Sequence, residues 1–355
     1  MNGSVALSPD AFREAALAAR SSMVGRTQGL RGWHMCCNLS HLTTRRWGHW
    51  RDLLSAIMPA LEDYGLLVQG DVHMFGIAMG SAIDVLMEHL DPGRKKSPKT
   101  WKTTKGLRQG GTLATPPRSW WGYDSFEGLP ETVGSERMPE WSKGAYAHDP
   151  RQHYLRRYGS DMAFVPGFYG KSLTAGLAAE RRMRPAMYID IDCDLYSSTL
   201  ESLDWAFASK IAVPGTVIGF DDWWNIPCGP TDEATSPVAV GEGRALAEVS
   251  RKYGVELLCM AGPCRYMLPR TTDETSLTGP WSLAPNLHTW PDAWGVLMLV
   301  VSVGDPGRAS TGHEMNAIEE GQFKKANNDC KKNGRSGGFA RVLSAAKGRG
   351  KGKGK

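Results

Sequence analysis

Long hydrophobic runs are missing from this sequence. The longest, Gly295 to Val303, is far shorter than the roughly 20 apolar residues that a membrane-spanning helix needs, so no membrane partner is expected. Cysteine pairs of metal-binding spacing are missing as well. The seven cysteines (Cys36, Cys37, Cys193, Cys228, Cys259, Cys264 and Cys330) are odd in number and include no CxxC, which argues against a structural zinc site or a disulfide framework. A reducing, cytoplasmic setting is the expectation. No period of roughly 20–50 residues recurs, which excludes solenoids and propellers. The opening MNGSVALSPDAFREAALAAR has no basic stretch followed by a long apolar one, so a helix is expected there rather than a secretory signal. Ser8 can cap that helix, Pro9 suits its first turn, and Phe12, Ala15, Ala16 and Ala19 fall on one face.

What is present is enough for an enzyme-sized core: 355 residues, 41% of them hydrophobic. The net charge of +5 is unevenly placed. Eleven lysines and arginines between Lys324 and Lys355 stand beside one acid, Asp329, leaving the body slightly acidic. Four regions are expected: an N-terminal helical region (1–69), an α/β domain (70–270), an irregular extension (271–321) and a basic tail (322–355). The expected state of that tail is solvated and disordered, with binding of nucleic acid or another polyanion as the alternative.

Within the α/β region, short apolar runs alternate with helical patterns. GDVHMFGIAMGSAIDVLMEHL (Gly70 to Leu90) reads as strand, glycine turn and helix, with Ile83, Leu86, Met87 and Leu90 inward. Asp91 to Ser119 has no apolar period and reads as a long basic loop. Further strands are expected at Trp120–Tyr123, Ala163–Val165, Met187–Ile191 and Thr216–Phe220, and a helix at Glu242–Tyr253. Two last runs, Val255–Met260 and Cys264–Leu268, are separated by only three residues, which permits antiparallel pairing alone. The fold class that follows is α/β: a seven-stranded, mostly parallel sheet ending in an antiparallel hairpin.

The chemistry-bearing residues gather at expected strand ends. In YIDIDCDLYSST (Tyr188 to Thr199), period-two alternation turns Asp190, Asp192 and Asp194 to one side, while Asp221 and Asp222 follow the next strand. Carboxyl ends of strands are where doubly wound sheets bind ligands. Carboxylates converging there repel one another unless a hard cation such as Mg²⁺ neutralises them. Capping of the next helix is the competing role, above all for Asp194. In FGIAMGS, Gly76 and Gly80 let backbone approach a cofactor, although glycine pairs also serve tight packing. Asp124 stands where a carboxylate accepts from ribose hydroxyls, or else bonds its own turn. His148 and His153 lie in a candidate lid, Gly144 to Tyr158, as potential bases. Trp120, Trp121, Trp141, Trp223 and Trp224 are core packing or an aromatic wall beside a ligand.

With these residues in view, the chain resembles the macrocin O-methyltransferase (TylF-type) family of sugar O-methyltransferases. The resemblance rests on GYDSFEGLPE (Gly122 to Glu131), VPGFYGKSLT (Val165 to Thr174), IDCDLYSST (Ile191 to Thr199), FDDW (Phe220 to Trp223) and GEGRALAEV (Gly241 to Val249), in family order. It implies a Rossmann-like class I methyltransferase fold with S-adenosylmethionine as methyl donor. It also implies a small-molecule or glycoside acceptor, Mg²⁺ on Asp192, Asp221 and Asp222, and Asp192 and Asp222 as catalytic residues. Gly76, Gly80, Ser81, Asp124, Ser125 and Asp190 form the expected cofactor-binding set. Alignment to catechol-type methyltransferases through the tyrosine instead favours Asp190 as the first metal ligand. Where the family reads Glu-Phe-Gly-Val, this chain has Met74, Phe75, Gly76 and Ile77, and the basic loop is an insertion. Other readings are a DxD glycosyltransferase using IDIDCD, or an inactive binding protein of the same fold. No base and no oligomeric state are assigned, a homo-oligomer staying open.

Overall fold

The computed structural model describes residues 7–27, 51, 54–91, 113–132, 141–222, 241–261 and 295–310. Helix α1 (Pro9–Thr27) starts where Ser8 predicts it, with the Ser8 Oγ accepting from the Ala11 amide at 3.3 Å. Ala16 and Ala19 are fully buried, and α1 packs on α2 (Leu54–Asp63), whose residues Leu54 to Leu61 are all buried.

The alternation of apolar runs then becomes β1 (Asp71–Phe75), α3 (Ser81–Leu90), β2 (Trp120–Asp124), α4 (Arg151–Tyr158), β3 (Met162–Pro166), two short helices α5 (Tyr169–Ser172) and α6 (Leu177–Glu180), β4 (Ala186–Ile191), α7 (Tyr196–Ala208), β5 (Val217–Phe220), α8 (Gly241–Tyr253), β6 (Glu256–Ala261) and β7 (Val296–Ser302). The strands form one sheet in the order β3-β2-β1-β4-β5-β7-β6. The first five are parallel, and β7 runs antiparallel between β5 and β6. This is the Rossmann-like class I methyltransferase fold that the family resemblance implies, and its alternation of strands and helices is the α/β pattern read from the sequence.

Two apolar layers sandwich the sheet. Val72, Met74, Tyr188 and Val217 face one core with α1, α2 and α3; Phe75, Ile189, Ile191, Ile218 and Phe220 face the other with α7 and α8. Period-two alternation divides each strand between them. Ile83, Leu86, Met87 and Leu90 point inward on α3, as their spacing predicts.

One strand lies elsewhere than expected. The partner of β6 is Val296–Ser302, inside the segment expected to be irregular, rather than Cys264–Leu268, which lies outside the described residues. Its seven residues are all buried. A continuous apolar run of that length, too short for a membrane, is what a central strand covered on both faces looks like. Among the described residues no helix is long and apolar enough to cross a membrane. The cysteine expectation also needs correction, because Cys259 on β6 is disulfide-bonded, while Cys193 is a free, buried thiol. Most of the basic loop and all of the basic tail lie outside the described residues.

Register sets the site. Met74 of β1 is level with Asp190 of β4, and Asp190 with Gly219 of β5, so Gly76, Asp192 and Asp221 follow at nearly one height. Strand order reverses between β1 and β4, which opens the crevice where folds of this kind take ligands.

Candidate functional site

Backbone bonds carry the ladder past the last strand residues. The Asp192 amide donates to Phe75 O at 2.9 Å and the Asp221 amide to Ile191 O at 2.9 Å, which brings the two acidic segments side by side. Asp192, Asp221 and Asp222 each offer a carboxylate oxygen, and these oxygens lie within 4.8 Å of one another. Asp190, two residues back on the same side of β4, is completely buried and accepts from the Tyr188 hydroxyl at 2.7 Å. Asp194, expected as a cap, has another place. It adopts a left-handed φ of 61°, leaves Leu195 at the start of α7, and its carboxyl pairs with that of Asp222.

Two members of this cluster, Arg51 and Glu242, are not among the expected site residues. Arg51, 3% exposed at its side chain, donates from Nε to Asp190 Oδ1 at 2.9 Å and from Nη2 to Asp190 Oδ2 at 2.7 Å. The same Nη2 reaches Asp192 Oδ2 at 2.9 Å, and Nη1 reaches Asp221 Oδ1 at 3.1 Å. Nothing in the local sequence distinguishes it from other arginines, because its partners lie 139 or more residues away. Glu242, at the start of α8, is fully buried; its Oε2 accepts from the Asp222 amide at 3.2 Å and its Oε1 has no hydrogen-bond partner.

Six acids therefore share a small volume with one guanidinium. Burial, then the Asp221 charge, holds Asp192 well above the ordinary carboxylate range. Burial and Asp194 do the same for Asp222, and burial and Asp222 for Glu242. Asp194 is pushed up to about 8 by burial and by Asp192. Burial alone would weaken the proton affinity of Arg51, but the charges of Asp190, Asp221 and Asp192 outweigh it and raise it. Among the described residues Arg51 is the one cation in contact with these carboxylates, and hard carboxylate oxygens are the donor type that suits Mg²⁺. The donor set fits such a cation, with Arg51 already touching two of its three members.

On the other side of the crevice, the expected cofactor residues meet protein partners. Gly76 has φ +86°, and a Cβ there would stand 1.7 Å from the Asp192 carbonyl oxygen, so close approach of β1 to β4 requires glycine. Gly80, at φ +80°, is covered by Tyr154 of α4, whose ring a Cβ would meet at 2.3 Å and whose hydroxyl donates to Gly80 O at 2.7 Å. Ser81 begins α3 and is exposed. Asp124 accepts three backbone amides: Ile77 at 2.7 Å, Ala78 at 3.0 Å and Phe126 at 2.6 Å. It thus ties the end of β2 to the glycine turn. Ser125 Oγ donates to Gly128 O at 2.8 Å and accepts from the Glu127 amide at 3.0 Å, closing a tight turn.

The candidate lid contains α4, held down by Tyr154 and by Arg157 on Asp84 at 2.7 Å. His148 and His153 are exposed on it. Trp120, Trp121 and Trp141 are buried among core residues, while Trp223 and Trp224 lie outside the described residues.

No family model and no curated protein matches the chain. Among solved structures it is similar to one described as "Structure of the O-methyltransferase NovP", at 15% identity, covering 70% of this chain and 78% of that one, with a TM-score of 0.39. A second, "Crystal Structure of CalS11, Calicheamicin Methyltransferase", is 22% identical over 69% of this chain and 86% of that one, with a TM-score of 0.39. A third, "Apo structure of CalS11, TDP-rhamnose 3'-o-methyltransferase, an enzyme in Calicheamicin biosynthesis", is 20% identical over 69% and 87%, with a TM-score of 0.33. The strand order, rather than these likenesses, carries the fold assignment.

Proposed function

We propose that the chain is an S-adenosylmethionine-dependent O-methyltransferase acting on a hydroxyl of a small molecule or glycoside, with a divalent cation held by Asp192, Asp221 and Asp222. The observation that carries the reading is the convergence of those three carboxylates within 4.8 Å beside Gly76, at the switch point of a class I methyltransferase sheet. The residue blocks around Asp124, Asp192 and Asp221 support it.

In this reading the residues that would hold the cofactor are those at the ends of β1 and β2, around the turn that Asp124 braces through the Ile77 and Ala78 amides. Ser125 and Gly80 border the same turn. When bound, the cation supplies Lewis acidity that makes an acceptor hydroxyl easier to deprotonate. The chain's own part is orientation: β4 and β5 hold the carboxylates at one height, so an acceptor oxygen and a methyl donor meet in a fixed geometry. Asp192 and Asp222 are the side chains on which transfer depends most. The exposed His148 and His153 are assigned no proton transfer.

The test is incubation with methyl-labelled S-adenosylmethionine, Mg²⁺ and a panel of glycosides and catechols. Label is expected in at least one acceptor, with turnover reduced at least about 100-fold in Asp222→Ala, the order of magnitude of losing one preorganised electrostatic element. Full turnover by that variant in the presence of chelator would remove the cation from the scheme. Calorimetric binding of a nucleoside diphosphate, without binding of S-adenosylhomocysteine, would replace methyl transfer with glycosyl transfer.

A further inference from the structure

We propose that Arg51 is the resident counter-ion of the carboxylate cluster and that it competes with a divalent cation for Asp192 and Asp221. This rests on the cation reading given above, but it concerns a residue outside the proposed ligand set. The guanidinium is a planar fork with two usable edges. One edge is fixed side-on to Asp190 by contacts of 2.9 and 2.7 Å. Asp190 is wholly buried and is not one of the three converging ligands. The other edge reaches across to Asp192 at 2.9 Å and Asp221 at 3.1 Å, which are two of those three. The third, Asp222, is bonded to Asp194 instead.

The arrangement has a consequence for any incoming cation. A cation taking oxygens from Asp192 and Asp221 sits a few ångströms from a guanidinium that is nearly free of solvent, and the two positive charges repel. Relief comes by letting go of the outer edge, while the bidentate contact with Asp190 keeps the arginine in place. Arg51 thus stabilises the cluster before a cation arrives and lowers its affinity for that cation. It is a positioning residue, one that sets how much cation is needed.

Manganese titration followed by the electron paramagnetic resonance of free Mn²⁺ tests this on the full chain. Arg51→Gln is expected to bind Mn²⁺ tighter than the wild type by about ten-fold or more, the order expected from removing a unit charge in contact with the ligands. Arg51→Lys, which keeps the charge but cannot span three carboxylates, is expected close to the wild type. Equal or weaker binding by Arg51→Gln, or no Mn²⁺ binding by either protein, overturns the proposal. Should Arg51→Gln fail to fold, the wild type still decides. In ¹⁵N-arginine spectra, the Nε–H resonance absent from Arg51→Lys should shift on addition of Mg²⁺, and a resonance unmoved at saturation overturns the competition. Binding of S-adenosylhomocysteine is a separate readout. Tighter Mn²⁺ binding by Arg51→Gln without any binding of that compound leaves Arg51 as the competitor and sinks the methyltransferase reading.

Discussion

The two halves of the sheet manage buried polarity in different ways. On the β1–β2 half, His73 is fully buried with Nδ1 2.8 Å from the Tyr123 hydroxyl and Nε2 3.4 Å from Arg184 O, and Asp124 spends its carboxylate on three backbone amides. On the β4–β5 half, six acids lean on Arg51 and on one another. At the end of β2 the Asp124 carboxylate is met by three amides, although Asp71 Oδ1 and Trp120 Nε1 further back on β1 and β2 have no hydrogen-bond partner, whereas at β4–β5, among the described residues, six acids face one guanidinium. The difference teaches where binding free energy is available: a satisfied network fixes geometry, whereas an uncompensated one gains from a charge that arrives from outside.

The largest effect expected on the satisfied half is a loss of stability in acid. Burial lowers the His73 pKa from its ordinary 6.5 to about 3, against a weaker opposing contribution from the Arg184 carbonyl. The unfolded chain therefore binds more protons than the folded one between those values. Stability contributed by neutral His73 is fully present above pH 6.5 and is lost as pH falls towards 3. At about 1.36 kcal/mol per pH unit, this amounts to roughly 5 kcal/mol at the acid end. Between pH 7 and pH 4 the urea midpoint of the wild type should fall relative to that of His73→Gln, which keeps polar contacts but does not ionise. The raised carboxyls of the β4–β5 half give both proteins an opposite, shared trend. Parallel curves for the two proteins would show that the β1–β2 half is not held neutral by burial.

A smaller loss is expected from Asp124→Ala. It strands the amides of Ile77, Ala78 and Phe126, each in a partly exposed setting where water recovers some of the lost bonding. At about 1 kcal/mol per bond, the cost is about 3 kcal/mol by urea denaturation, with Asp124→Asn losing about half as much because one oxygen remains. Neither loss should respond to Mg²⁺, since the contacts are internal to the turn. A Mg²⁺-dependent recovery would place Asp124 on the incomplete half and erase the contrast.

How much of this was legible in the sequence follows the same division. The carboxylates were, because alternation along YIDIDCD and the doublet after Phe220 are local patterns that the ladder simply carries into space. The glycine turn was legible as a turn, but not what fills it: Tyr154 comes from a helix about 70 residues further on. Arg51 was illegible for the same reason, since a single charged residue has no period and its partner is chosen by topology, while Glu242 stood in the GEGRALAEV block but with nothing local to tie it to Asp222. A cap is the competing role for Asp194 because it stands nearest the next helix, yet its left-handed backbone turns it back towards Asp222. The seventh strand was missed for a different cause. Val296–Ser302 is apolar up to Val301 and buried throughout, and a strand covered on both faces lacks the alternation that marks a half-exposed one.

The smallest expected effect has the opposite sign and bears most directly on the comparison. Asp222 is 7% exposed, bonded to Asp194 and surrounded by further acids, so ionising it in the folded chain is opposed first by burial and then by the Asp194 and Asp221 charges. Asparagine at this position cannot ionise, so the cost of keeping Asp222 neutral against its tendency to lose a proton is gone, and its amide can still donate to Asp194. Without added cation, Asp222→Asn should therefore be slightly more stable than the wild type, by about 1 kcal/mol. That corresponds to a few degrees in Tm for a chain of this size. The gain should widen above pH 8, where Asp194 surrenders its proton in the wild type and the crowding is greatest. Adding Mg²⁺ should reverse the ranking, because the wild type gains a bound cation that the variant holds less well. A variant clearly less stable than the wild type without cation would mean that the β4–β5 half is as complete as its neighbour. An acid-to-amide change that costs stability at Asp124 and adds it at Asp222 is what a satisfied and an unsatisfied carboxylate should each do.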